Sequence, residues 1–241
     1  MPHTLFISDL HLSEDQPHIT QLLLDFLSNT APQADALYIL GDLFEYWAGD
    51  DDMYTAFHQQ IISAILGVSN LGTPVFLMHG NRDFLMDEQL TRACKATLLA
   101  DPTVVDLYGT PTLLAHGDAM CTDDFEYQAF RLQVRQPEWR NNFLAQPLAQ
   151  RKAQIEQLRK MSEEKKQTKS MDIMDVNLSA VAEMFRSHHY PRMIHGHTHR
   201  QKQHQQQVDG KSCDRWVLGD WHETGNALRC DASGCSFQVI E

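Results

Sequence analysis

The sequence predicts a layered α/β fold carrying an inserted helical cap, and two patterns carry that reading. Short apolar runs recur, each ending in a polar cluster with Asp, Asn or His: residues 4–8 before Asp9, 36–40 before Asp42, 74–78 before Asn81, 112–115 before His116 and 193–194 before Gly196. Runs of this length bounded by turn residues read as buried strands. Helical spacing fills the gaps between the first three, over residues 18–31 (Leu22, Leu23, Phe26, Leu27) and 54–69 (Phe57, Ile61, Ile62, Ile65). Strand, helix, strand implies right-handed crossovers and a layered sheet. Ligands of such sheets gather beyond the carboxyl ends of the strands, where the polar clusters stand.

The rhythm breaks over residues 125–177, which lack β-like runs and are rich in Gln, Arg, Lys, Leu and Met. Leu144 and Leu148, then Ile155, Leu158 and Met161, keep helical spacing, while Pro137 and Pro147 mark helix starts or kinks. Residues 131–169 hold ten Lys/Arg against four Asp/Glu, a balance of +6 in a chain of net charge -12. The cap is therefore basic on an acidic body, within one domain spanning residues 1–241. Residues 201–207 read as a solvated hairpin tip, and the tail from Arg215, with turns at Gly225 and Gly234, as short closing strands.

At 241 residues and 42% hydrophobic content the chain buries a real core. Its 32 acids against 20 bases exclude non-specific nucleic-acid binding as a main role. No apolar run approaches the roughly 18 residues of a membrane span, and residues 1–12 lack the pattern of a secretory signal. Five cysteines without CxxC spacing read as reduced thiols in a cytoplasmic setting.

The chemistry sits in Asp9-Leu10-His11, Gly41-Asp42, Gly80-Asn81-Arg82-Asp83, His116-Gly117-Asp118 and Gly196-His197-Thr198-His199. In Asp-x-His and His-x-His, extended backbone would put both ligands on one face. Two Asp, four His and one Asn suffice for two ions if one carboxylate bridges, and Asp42 is the best candidate bridge. The absence of cysteine argues for Mn²⁺, Fe²⁺ or Zn²⁺ with exchangeable water over a structural zinc. Asp50-Asp51-Asp52 reads most simply as a solvated loop, with a metal or the cap as alternative contacts. Cys121 reads as a buried small hydrophobe, and His79 and His195 as structural neighbours of the motif glycines. His3, His18, His58, His188, His189, His204 and His222 read as surface or satisfied core residues.

Taken in order, these clusters resemble the calcineurin-like metallophosphoesterase superfamily. The resemblance implies a β-sandwich flanked by helices, with one metal held by Asp9, His11, Asp42 and His199 and a second by Asp42, Asn81, His116 and His197. Two departures narrow it. Glu45 ends Gly41-Asp42-Leu43-Phe44-Glu45 where Asp is usual, and Arg82 replaces the usual His after Asn81. With Cys121-Thr122-Asp123-Asp124 and Ile173-Met174-Asp175-Val176-Asn177, they resemble the UDP-2,3-diacylglucosamine pyrophosphatase family of lipid A biosynthesis. That similarity implies hydrolysis of UDP-2,3-diacylglucosamine to 2,3-diacylglucosamine 1-phosphate and UMP. Hydroxide activated between two Mn²⁺ ions would attack the α-phosphorus, with Asp42, Asn81, Arg82 and His197 as the catalytic set.

Substrate contacts implied by the resemblance are Asn81, Arg82, Asp124, Ser162, Lys166, Lys169 and His197, with Lys166 standing where Asn is expected. It also implies peripheral attachment to the cytoplasmic side of the inner membrane, with no obligate protein partner. Trp139, Phe143, Leu144, Leu148, Ile155 and Leu158 are candidates for acyl contact, though their spacing fits plain helix packing. Arg151, Lys152, Arg159 and Lys160 are expected to face anionic lipid. The competing functions are a phosphodiesterase or phosphatase of soluble nucleotides, and a scaffold that has lost catalysis.

Overall fold

The computed structural model describes residues 1–166 and 175–241. The first half alternates as expected: β1 (Thr4–Ile7), α1 (Pro17–Asn29), β2 (Ala36–Ile39), α2 (Ala56–Asn70), β3 (Val75–Met78), α3 (Glu88–Cys94) and β4 (Thr97–Leu99). β1, β2, β3 and β4 pair in parallel, in that order. Then come β5 (Thr103–Leu107), β6 (Thr110–Ala115), α4 (Phe125–Val134), α5 (Pro137–Leu144), α6 (Leu148–Lys166) and α7 (Leu178–Ser187). The chain closes with β7 (Arg192–His195), β8 (Lys202–Val208), β9 (Lys211–Val217), β10 (Gly225–Asp231) and β11 (Gly234–Ile240).

Two sheets result, ordered β11-β10-β1-β2-β3-β4 and β5-β6-β7-β9-β8. Side chains on successive strand residues point to opposite faces, and here both faces are buried. Leu5, Ile7, Leu37 and Ile39 join the core under α1 and α2, whereas Phe6, Tyr38 and Leu40 meet Leu114, Ile194, Trp216 and Leu218 between the sheets. On the far side Leu113 and Met193 pack with Val181 and Phe185 of α7. The layers therefore run helix, sheet, sheet, helix.

Local signals set the helix ends. Thr55 Oγ1 accepts from the His58 amide at 3.2 Å to start α2, and Asn177 Oδ1 accepts from the Ser179 and Ala180 amides to start α7. Pro137 stands in the first turn of α5, where its missing N–H costs nothing.

α4, α5 and α6 fill the interval read as a cap. Their basic residues mostly turn toward the acidic body, which corrects the lipid-facing expectation. Arg151 is 2% exposed; its guanidinium donates to Ala48 O, Gln146 O and the Asp51 carboxylate. Lys152 Nζ lies 2.5 Å from Asp52 Oδ1, and Arg159 Nη2 is 2.7 Å from Glu45 Oε1. Lys160 alone of the four is well exposed, and it pairs with Glu156. Asp50 and Asp52 are buried, so this acidic run is no solvated loop. Asp50 accepts from the Trp47 indole and from the Asp87 and Leu90 amides, while Asp51 and Asp52 hold α6. Trp139, Leu144 and Ile155 pack on the main core and Phe143 is buried within it, whereas Leu158 is 41% exposed.

Two other expectations change. Residues 202–208 form β8, an edge strand paired antiparallel with β9, and the tip of that hairpin lies at Asp209-Gly210. Cys230 and Cys235 stand opposite each other on β10 and β11 and are joined as a disulfide, so two of the five cysteines are not free thiols. A separation of five residues is silent in a linear motif search; the hairpin register brings the pair together.

Candidate metal centre

The carboxyl ends of β1, β2, β3, β6 and β7 deliver the polar clusters to one edge of the sandwich. Asp42 lies in the loop just beyond β2, a central strand, and is 1% exposed. Its Oδ2 lies 3.7 Å from His11 Nε2 and 3.8 Å from His116 Nε2. His199 Nε2 stands 3.5 Å from Asp9 Oδ1 and 3.4 Å from His11 Nε2. Asn81 Oδ1 is 2.9 Å from His116 Nε2 and 2.8 Å from His197 Nδ1. All seven candidate ligands thus converge, and two subsets, Asp9, His11, His199 and Asp9, Asp42, His116, each hold donor atoms within 4.8 Å of one another.

Extended backbone does not produce this convergence. Asp9, His11, Asp42, His197 and His199 all have positive φ, between 50° and 70°. Non-glycine residues rarely occupy that region, and a cluster of them marks a site where the fold imposes the conformation. At Gly80 the constraint is space: a Cβ there would fall 2.0 Å from Asp42 Oδ1 and 2.3 Å from the Asp42 nitrogen.

Three imidazoles are oriented so that Nε2 faces the cluster. His116 Nδ1 donates to Leu40 O at 2.9 Å, His11 Nδ1 faces Glu45 Oε2 at 3.1 Å, and His199 Nδ1 faces Asp220 Oδ2 at 3.2 Å. A ligand histidine held through its other nitrogen has a fixed tautomer and ring plane. Asp83, buried, accepts from the Gly80, Asp42, Leu43 and Phe44 amides, stapling the β2 and β3 loops together.

Electrostatics favours cations here. Burial works against charging His116, but Asp42, Asp118 and Asp9 prevail and raise it to about 9. Burial likewise opposes His199, yet Asp220 and Asp9 raise it to about 10. Burial, reinforced by the Asp42 charge, lifts Asp83 to about 6. Burial and the neighbouring His116 charge depress His197 to about 4, leaving it neutral. Asp9 Oδ1 is buried without a hydrogen-bond donor. An orphaned carboxylate oxygen beside imidazole Nε2 atoms fits a divalent cation, whose charge offsets the desolvation that burial imposes.

The remaining candidates fall unevenly. Arg82 donates its amide to Asp42 Oδ1 at 2.8 Å and sets Nη1 3.5 Å from Glu45 Oε1, at the rim of the cluster. Asp124 caps α4, accepting from the Tyr127 amide at 3.1 Å, and Ser162 is an exposed residue of α6. Lys169 and the side chain of Lys166 lie outside the described residues. Cys121 is buried, and burial with the nearby Asp118 charge pushes its thiol up to about 12.

Sequence reasoning missed the supporting carboxylates. Glu45 faces His11, Arg82 and Arg159 together; its place three residues after Asp42 was the available signal. Asp118 binds the cap, accepting from Tyr127 Oη at 2.5 Å and Arg131 Nε at 2.8 Å, and its signal was the His116-Gly117-Asp118 triplet. Asp220, far along the chain, had none.

The comparison with known families agrees with this geometry: the calcineurin-like phosphoesterase profile matches residues 2–201. The chain belongs to this family. As a calcineurin-like phosphoesterase it is a metal-dependent hydrolase, and its donor set suits a divalent ion. It is 51% identical over 230 residues to a UDP-2,3-diacylglucosamine hydrolase of Aromatoleum aromaticum, covering 95% of this chain and 94% of that protein. It is 49% identical over 244 residues to the UDP-2,3-diacylglucosamine hydrolase of Xanthomonas axonopodis pv. citri, covering 98% of each. Among solved structures it resembles the protein TT1561 of Thermus thermophilus in fold, with a TM-score of 0.51 over 99% of each chain at 12% identity.

Proposed function

We propose that this phosphoesterase hydrolyses the pyrophosphate of UDP-2,3-diacylglucosamine, giving 2,3-diacylglucosamine 1-phosphate and UMP. The observation that carries the reading is the joining of two donor groups through Asp42, in a chain about half identical over nearly its full length to hydrolases named for that substrate.

Asp9, His11, Asp42 and His199 would hold one ion and Asp42, Asn81, His116 and His197 the other, with Mn²⁺ our assignment for both. Bound there, a pair of divalent ions supplies Lewis-acid polarisation of the phosphoryl group and lowers the pKa of water. The protein's own residues position the substrate around that chemistry. Arg82, held by Glu45, offers a planar fork of donors to phosphoryl oxygens. His197, neutral at working pH, reaches Asn81 with one nitrogen and stacks at 6.1 Å against Tyr127. Asp124, Ser162, Lys166 and Lys169 are assigned to the nucleotide and sugar portions.

For the acyl chains and the membrane, the supporting observation is apolar exposure on the cap. Phe125 is 79%, Leu132 62% and Met161 55% exposed. Among the described residues no helix is long and apolar enough to cross a membrane. We place the protein peripherally on the cytoplasmic side of the inner membrane. Pelleting with anionic vesicles tests that placement, and a protein left wholly in the supernatant at low salt contradicts it.

The function is tested by incubating purified protein with Mn²⁺ and the lipid substrate in detergent micelles and identifying products by mass spectrometry. UMP with the acylated sugar phosphate, lost on adding EDTA or with His116→Ala, is the expected result. Cleavage of a model phosphodiester with no turnover of the lipid would transfer the assignment to a soluble nucleotide.

A further inference from the structure

A cavity of about 220 Å³ is lined, among the described residues, by Asp175, Thr198, Arg200, Lys202, His204, Arg215 and Val217. Four of these seven side chains are basic. Among the described lining residues the one carboxylate is Asp175, which is engaged by Arg200 and by the Val176 amide.

The arrangement is costly as it stands. His204 and Arg215 are directly opposed partners in the β8–β9 ladder, so their side chains share a face, and like charges so placed repel. Lys202, two residues from His204 on the same strand, falls on that face too. Arg215 is 4% exposed. One of its donors meets the imidazole of His195, at Nε2 3.0 Å away, whose other ring nitrogen lies 2.9 Å from Gly196 O. Its Nε has no acceptor among the described residues. A buried guanidinium is normally paired with a carboxylate or phosphate, and no ion pair involving Arg215 exists among the described residues. Burial together with the Arg215 and Lys202 charges depresses the His204 imidazole, as expected of a pocket with surplus positive charge.

We propose that this cavity is an oxyanion site for a phosphoryl dianion, bound by Arg215, Lys202 and His204 and separate from the metal centre. Arg215 Nε supplies the unpaired donor at the base of the pocket, and Lys202 and His204 close over the anion from the edge strand. A compact cluster of this kind, with Arg215 buried and Lys202 and His204 nearer the surface, suits a single phosphate group better than an extended polyanion. Free phosphate and a phosphomonoester such as UMP present the same dianion. The inference goes beyond the proposed hydrolysis and does not depend on it.

The test is equilibrium dialysis of full-length protein against inorganic phosphate and, separately, UMP, with and without EDTA to remove binding at the metal centre. The EDTA-resistant site should weaken about tenfold or more in Lys202→Gln/His204→Gln, while Mn²⁺-dependent cleavage of a model phosphodiester stays unchanged. UMP binding tighter than phosphate would identify a nucleotide monoester as the occupant, and equal affinities free phosphate. Arg215→Gln should abolish the site if its thermal unfolding shows that it folds. Phosphate and UMP binding that vanishes with EDTA and ignores the Lys202→Gln/His204→Gln change would overturn the proposal, whatever the outcome for lipid hydrolysis.

Discussion

Glu45 Oε2 stands 3.1 Å from His11 Nδ1, and through that carboxylate a candidate metal ligand is joined to the cap. The other oxygen of Glu45 lies 2.7 Å from Arg159 of α6 and 3.5 Å from Arg82. Burial alone would raise this acid, but the His11 hydrogen bond and the Arg82 charge hold it at about 2. Replacing it with Gln keeps the shape and removes the charge. Glu45→Gln should weaken divalent-metal affinity by about 10- to 100-fold, the usual cost of losing a group that orients a ligand histidine. Mn²⁺ titration of wild type and variant measures this directly, and unchanged affinity would remove Glu45 from the support of His11.

Gly80→Ala tests whether the tight approach of the β2 and β3 loops is required. The added methyl would lie 2.0 Å from Asp42 Oδ1, with Asp83 holding both loops from behind. The expected outcome is a folded protein with turnover reduced at least about a hundredfold, a loss of the size seen when catalytic groups are misplaced by about 1 Å. Circular dichroism and a model phosphodiester assay separate misfolding from misplacement. Retained activity would show that the loops have slack the structure does not suggest.

Arg151 is the cap's anchor. Its side chain crosses to Ala48 O and the Asp51 carboxylate while bonding Gln146 O within the cap. Arg151→Ala removes a buried charge and strands a carbonyl, although Asp51 itself is 57% exposed and keeps its water. A cost of about 1–3 kcal/mol follows once that exposure is allowed for. Limited proteolysis should cut within residues 125–166 faster in the variant than in wild type. Identical cleavage rates would show that the remaining pairs suffice.

The thiols give a pH-dependent prediction. Cys94 is raised by burial to about 11, and Cys121 by burial and the Asp118 charge to about 12. A raised thiol pKa keeps the unreactive neutral form to higher pH, so at pH 8 Cys94 holds roughly a hundredfold, and Cys121 roughly a thousandfold, less thiolate than an exposed cysteine. Neither should label with iodoacetamide at pH 8 until the protein is unfolded, and peptide mapping reads the result. Rapid labelling of native Cys121 would contradict its enclosure beside the cap.

Much of this fold is legible in the sequence because parallel strands buried on both faces read as apolar runs, and their ends carry the ligands. The runs before Asp9, Asp42, Asn81 and His116 each became a strand delivering its polar residue to the same edge. Backbone conformation at those ends was not legible. Asp9 and His11 have φ of 55° and 50°, where i, i+2 spacing suggests extended chain. Charge pairing across distance was equally hidden: the surplus positive charge of the cap is evident by counting, but that Arg151 and Lys152 meet Asp51 and Asp52 depends on how α6 docks. Asp220, beside His199, and Cys235, beside Cys230, are brought in by the closing strands, which carry no motif.

In the proposed reaction the Asp42 cluster directs water to the α-phosphorus of UDP-2,3-diacylglucosamine. Turnover of that substrate in ¹⁸O-labelled water, followed by mass spectrometry of both products, tests it most directly. The label should appear in UMP and be absent from 2,3-diacylglucosamine 1-phosphate. Label in the lipid phosphate would place the attack at the β-phosphorus instead.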